Sequence, residues 1–116
     1  MKSFGDRKFK LWYYTISHGQ LLLRSIKDDN NNTTNIDIMF LDVNYIELPR
    51  YLSDVKLEKA QEKDINYIQQ KLGEHILPES IRIIISKNCR YIVVASIMKV
   101  VENELEMFDL PFDTFF

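Results

Sequence analysis

The sequence predicts an α+β fold: a mainly antiparallel curved sheet or small partly closed barrel, with one amphipathic helix packed against it. Three observations lead there. Apolar and polar residues alternate over several short stretches, and reversals such as Ser17-His18-Gly19-Gln20 and Lys87-Asn88 separate them. One segment, Glu62 to Leu72, spaces its apolar residues Ile65, Ile68 and Leu72 by three and four among polar residues, with Gly73 at its end. Strands joined by tight turns, with a single helix to cover an apolar face, form a two-layer domain.

Lys8 to Lys27 reads as a hairpin. With His18 and Gly19 at the centre of the turn, Ile16 faces Leu21, Tyr14 faces Leu23 and Trp12 faces Ser25 on one mainly apolar side. The other side pairs Thr15 with Leu22, Tyr13 with Arg24 and Leu11 with Ile26. This register predicts a substantially buried Trp12, and an Arg24 that points to the opposite, less hydrophobic surface beside the Tyr13 ring.

The run DDNNNTTN from Asp28 to Asn35 reads as a loop, because its side chains compete for backbone hydrogen bonds. Ile36, Ile38 and Phe40 then alternate with Asp37 and Met39, the pattern of a strand with one buried face. The phase changes around Leu41 to Asn44, which predicts a bulge or turn, and Pro49 closes the region. Val55 to Glu58 reads as a short edge strand.

The helix over Glu62 to Leu72 should stop at Gly73, and Pro78 breaks the segment that follows. Ile81 to Ile85 and Cys89 to Ala95 form a second hairpin about Lys87-Asn88, with Ile84 opposite Tyr91 and Ile83 opposite Ile92. Both of its faces are apolar, so one should meet the sheet core and the other the helix. Further on, Met98, Val101, Leu105 and Phe108 have helical spacing, whereas Ile97 to Val101 has strand composition; strand is the preferred reading. Leu110 to Phe116, interrupted by Pro111, is expected to be an irregular strap with aromatic anchors, packed on this domain or on a partner.

The 116 residues fit a single compact domain, 1–116, and 46% hydrophobic against 28% charged residues is enough to bury a core. A net charge of -2 gives no overall field to attract a phosphate backbone, so nucleic acid is an unlikely partner. One cysteine, Cys89, cannot close an intramolecular disulfide, which favours a reducing cytoplasm. The opening residues lack a signal-type apolar stretch, and the apolar runs are too short to span a bilayer; a cytoplasmic protein without a membrane partner is expected.

No chemistry-bearing motif emerges. His18 and His75 have no neighbours at metal-clamp spacing, and a triad of His18 with Ser17 or Ser25 and a distant carboxylate lacks a nucleophile elbow. Cys89, between Asn88 and Arg90, reads as a small packing residue. Glu102, Glu104, Glu106, Asp109 and Asp113 are not spaced as a calcium loop, and Gly5, Gly19 and Gly73 cannot build a phosphate-binding glycine motif. The glycan-type triplets at Asn31 and Asn32 read as loop composition. No catalytic residue, metal ligand or cofactor is therefore assigned.

The function expected is a noncatalytic protein-binding module, of bacterial inhibitor or immunity type, whose partner is another protein or itself. A homo-oligomeric structural subunit, or a small ligand-binding or enzymatic β-barrel, is the alternative. The candidate partner surface comprises Tyr13, Arg24, Leu110, Phe112, Phe115 and Phe116.

Overall fold

The computed structural model describes residues 2–28, 32–73 and 75–114. Eight strands, β1 (Lys2–Ser3), β2 (Lys8–Thr15), β3 (Gln20–Ser25), β4 (Asn35–Glu47), β5 (Tyr51–Ser53), β6 (Lys56–Lys59), β7 (Ile81–Ser86) and β8 (Cys89–Asn103), form one sheet in the order β1-β6-β7-β8-β4-β3-β2-β5. Every neighbouring pair is antiparallel. Helix α1 (Glu62–Leu72) lies between β6 and β7 in the chain. The plan is two meanders, β2-β3-β4 and β6-β7-β8, joined along their long third strands, each with one short extra strand at its outer edge.

The sheet is strongly curved and not closed. β5 and β6 stand near opposite ends of the strand order, yet only Asp54 and Val55 separate them. A link spanning roughly 3.5 Å per residue draws those ends together. Across the seam, the Ser53 N–H donates to Ser86 Oγ and the Ser86 hydroxyl donates to the Ser53 carbonyl, both at 2.9 Å. No ladder joins β5 to β6 among the described residues.

Inside the curve lies the main core, with Phe9, Leu21, Leu23, Ile38, Phe40, Leu52, Leu57, Ile84 and Val93 among its members. The outer face carries two separate clusters. Under α1, Ile68 packs with Ile81, Ile83, Ile92 and Val94. On the other meander, Leu22, Met39 and Leu41 pack under Phe112, from the 3₁₀ turn Pro111–Thr114. β4 is thus buried on both faces around Ile36 to Phe40, where its alternation suggested one: Asp37 and Met39 are as enclosed as Ile38.

Several elements follow directly from local chemistry. The Asp64 carboxylate accepts the Gln61 N–H at 2.8 Å in the first turn of α1, where negative charge is favoured. Gly73 ends the helix at φ 65°, its N–H donating to Gln69. Lys87 and Asn88, both at positive φ, make the two-residue turn of the β7–β8 hairpin, and Ile84 faces Tyr91 and Ile83 faces Ile92 as the sequence predicts. Residues 97–103 continue β8 as strand. The predicted break after Leu41 is a bulge at Asn44, just beyond Asp42 at φ 55°.

The first hairpin departs from its predicted register. Its turn is Ile16 to Gly19, so Tyr14 faces Leu21 rather than Leu23, and Ile16 is 85% exposed instead of sitting on the core face. Gly19 presses its backbone on the β4 bulge: its carbonyl accepts the Val43 N–H at 3.0 Å, and a Cβ there would stand 3.0 Å from that nitrogen. A bulge at Trp12 then shifts the pairing by one, so that Leu11 faces Leu23 in the core. The strand at Lys56–Lys59 is not quite the edge, since β1 pairs outside it. β1 and β5 carry too few residues to show a period.

Candidate functional site

Of the candidate partner surface, the structure brings Tyr13, Arg24, Leu110 and Phe112 together. Arg24 on β3 stands directly across from Asp37 on β4. Its Nε and Nη2 donate to Asp37 Oδ1 and Oδ2 at 2.7 and 3.0 Å, a bidentate pair whose side chains are both fully buried. The remaining donor capacity goes to the C-terminal segment: Nη1 donates to the Met107 carbonyl at 3.3 Å and Nη2 to that of Asp109 at 2.9 Å. The Trp12 indole N–H also donates to Met107, at 3.3 Å, and the Arg24 guanidinium lies 5.7 Å from the Trp12 ring.

Two more side chains continue this pattern. The Asn35 amide donates to the Leu105 carbonyl at 2.8 Å and Lys27 Nζ to that of Glu104 at 2.7 Å. The segment 104–109, which leads into the expected strap, is therefore tied down by its own backbone and belongs to the same cover, and Phe112, 2% exposed, anchors the strap 5.9 Å from the Tyr13 ring. Arg24, at 1% exposure, is enclosed within the chain. Phe115 and Phe116 lie outside the described residues.

The expectation that Trp12 and Arg24 occupy opposite faces is corrected here. The Trp12 bulge moves the indole onto the Arg24 side, where it is half-buried, and Leu11 takes the core position. A signal for the ion pair was present: Arg24 ends the run Leu21-Leu22-Leu23, and Asp37 sits between Ile36 and Ile38. A charge inside an apolar strand requires a partner.

The polar residues considered for catalysis are dispersed. Ser17 Oγ meets His18 Nδ1 at 3.0 Å, Ser25 accepts from Arg7, and Cys89, expected to be a packing residue, is instead exposed at the start of β8. No carboxylate contacts His18 among the described residues. Nor, among them, does any group of three or more His, Cys, Asp or Glu side chains come close enough to hold a metal ion. Elsewhere, Glu47 accepts hydrogen bonds from Tyr45 and Tyr67, pinning α1 to β4. The hydrogen bond to that carboxylate, with burial, raises the Tyr45 phenol pKa well above its ordinary value.

A different feature remains open. β7 pairs with β8 only as far as Val94, so from Ser96 to Asn103 β8 has β4 on one side and no strand on the other among the described residues. Arg82 caps the start of this edge, donating to the carbonyls of Ala95 and Ser96 at 3.1 and 2.8 Å. Alongside runs a groove of about 680 Å³ with Leu57, Ala60, Pro78, Ile81, Met98 and Val100 as its apolar lining; Lys2, Glu58, Lys59, Glu79 and Arg82 supply charge. Residue pattern gives a strand here but not which neighbours it lacks, so this edge was invisible in the sequence.

No family model, curated protein or solved structure matches this chain. Among the described residues, no helix is long and apolar enough to cross a membrane.

Proposed function

We propose that this protein is a noncatalytic binding module that takes up an extended segment of a partner protein along the outer edge of β8 beyond Val94. One observation carries the reading: from Ser96 to Asn103 no second strand pairs with β8 on the side away from β4 among the described residues, and an apolar groove lies alongside. Strand addition uses both parts. The edge offers backbone N–H and C=O groups to the incoming chain, and a groove lined by Leu57, Ile81, Met98 and Val100 receives its alternate apolar side chains.

Small size and slight net acidity support an inhibitor or immunity-type protein among such modules. The free, exposed Cys89 thiol supports work in a reducing compartment such as the cytoplasm. Capture from the cells of origin, with wild type and Met98→Glu compared, tests the proposal. The wild type should retain a stoichiometric protein, and the bound complex should protect amides 96–103 from hydrogen exchange. Met98→Glu should weaken capture about tenfold or more, compared at a temperature where both proteins are folded because Met98 also packs on the main core. Equal capture by both proteins with unchanged exchange at 96–103 would reject the edge. A doubled solution mass lost in the same variant would instead assign this edge to a second copy.

A further inference from the structure

A second hollow, sharing no lining residue with the β8 groove, opens where the ends of the curved sheet approach each other. It measures about 420 Å³ and lies between β2 and β5 on one side and the β7–β8 hairpin on the other. Buried Phe9 and Leu52 contribute apolar surface, and exposed Lys8, Lys10 and Lys87 contribute charge; no carboxylate lines it. Tyr51, 59% exposed, also faces this hollow, with Lys10 Nζ 5.9 Å and the Arg50 guanidinium 5.3 Å from its ring.

This concentration of positive charge is out of step with the rest of the molecule. The chain as a whole is slightly acidic. Arg24, Lys27 and Arg90 each pair with a carboxylate, whereas Lys8, Lys10, Arg50 and Lys87 make no ion pair among the described residues. One acidic side chain, Asp54, lines an adjoining hollow that shares Lys87. Like charges gathered around a concave surface raise the local potential and attract a compensating anion. The volume is that of a small-molecule site.

We infer that this hollow binds a small phosphate-bearing molecule with a planar ring. Lys8, Lys10 and Lys87 hold the phosphate as point charges, and the ring stacks on Tyr51. The two contributions are separable. Without the lysines the anion loses its counter-charge, whereas without the tyrosine only the preference for a ring disappears.

The chain supplies its own reporter, since Cys89, its single cysteine, is exposed and lines the hollow. Alkylation of Cys89 by iodoacetamide would be followed with adenosine monophosphate as the probe, and with adenosine and inorganic phosphate as comparisons. The nucleotide should slow alkylation, inorganic phosphate should do so at higher concentration, and adenosine should have little effect. Lys8→Gln with Lys10→Gln, both exposed positions, should raise the nucleotide concentration needed for protection by about tenfold. Tyr51→Ala should abolish the preference for nucleotide over phosphate and leave phosphate protection in place. The inference is overturned if neither nucleotide nor phosphate protects at millimolar concentration, or if protection is unaltered in the double lysine variant with an unchanged melting temperature. Protection by a single-stranded oligonucleotide but not by the mononucleotide also overturns it, in favour of a nucleic acid.

Discussion

The meanders β2-β3-β4 and β6-β7-β8 share a strand plan, but their outer faces are covered in unlike ways. Over β7 and β8 the cover is α1, which satisfies its backbone internally and needs only an apolar stripe: Ile65, Ile68 and Leu72 supply it. Over β3 and β4 the cover is the irregular segment 104–110, whose carbonyls have no α-helical partners, followed by the 3₁₀ turn Pro111–Thr114 that carries Phe112. Donors must then come from the sheet and the chain leaving it: Trp12, Arg24 and Asn35 on strands, and Lys27 just beyond β3. Arg24 brings a charge under cover, and Asp37 balances it. The buried ion pair is thus a consequence of covering a sheet with non-helical chain. The helix half needs no such device, and its own ion pairs, Arg90 with Asp64 and Glu58, are partly exposed.

The largest effect should come from breaking that balance. Asp37→Ala strands the Arg24 guanidinium in a buried site and is expected to cost about 3–5 kcal/mol in urea unfolding. Replacing both partners, Arg24→Met with Asp37→Leu, should recover only part of this, because the Asp109 carbonyl then loses the Arg24 donor and the Met107 carbonyl keeps only the Trp12 indole. Full recovery by the double variant would show that the strap does not depend on Arg24.

Ile68→Ala, in the helix half, should cost about 3 kcal/mol by opening a cavity among Ile81, Ile83 and Ile92. Hydrogen exchange sharpens the contrast. Ile68→Ala should speed exchange in α1 and leave residues 104–110 as in the wild type, whereas Asp37→Ala should do the reverse. Equal loosening of both covers in either variant would mean that the two halves melt as one unit.

The smallest effect concerns pH. Burial by itself would raise the Asp64 pKa, but the Arg90 hydrogen bond and the Gln61 N–H outweigh it and hold the carboxyl below its ordinary 3.8. A depressed folded value contributes stability that is complete above the ordinary value and is lost as the pH falls through the folded one. Stability curves of wild type and Asp64→Asn should therefore run parallel above about pH 5 and converge in stronger acid. A constant separation down to the lowest pH would remove Asp64 from the acid response.

Local elements were legible because their signals are local. Gly73 after Leu72, the paired turn residues Lys87 and Asn88, and the phase change after Leu41 all act through a few adjacent residues. The Trp12 bulge was not legible, since it answers to a distant demand: Leu11 is required in the core and the indole is required over the strap. β1 and β5 form because the curved sheet presents them with partners, not because two or three residues prefer a strand. At the site level, the aromatic tail announced that it must pack on something. The basic hollow adds Lys87 to Lys8 and Lys10; those two share a face of β2 by their i, i+2 spacing, but no spacing rule brings Lys87 to them.

Trp12 is the chain's single tryptophan, and its indole N–H is hydrogen-bonded to the strap at Met107 while its ring lies against the Arg24 guanidinium. The protein therefore carries its one indole at the margin of one cover, while the helix half has only tyrosines, Tyr45 and Tyr67 among them. The indole emission reads the polarity and quenching of that one junction. A spectral change on strap release is separable from the far-ultraviolet signal of α1, so two optical probes on the unmodified chain follow the two halves independently.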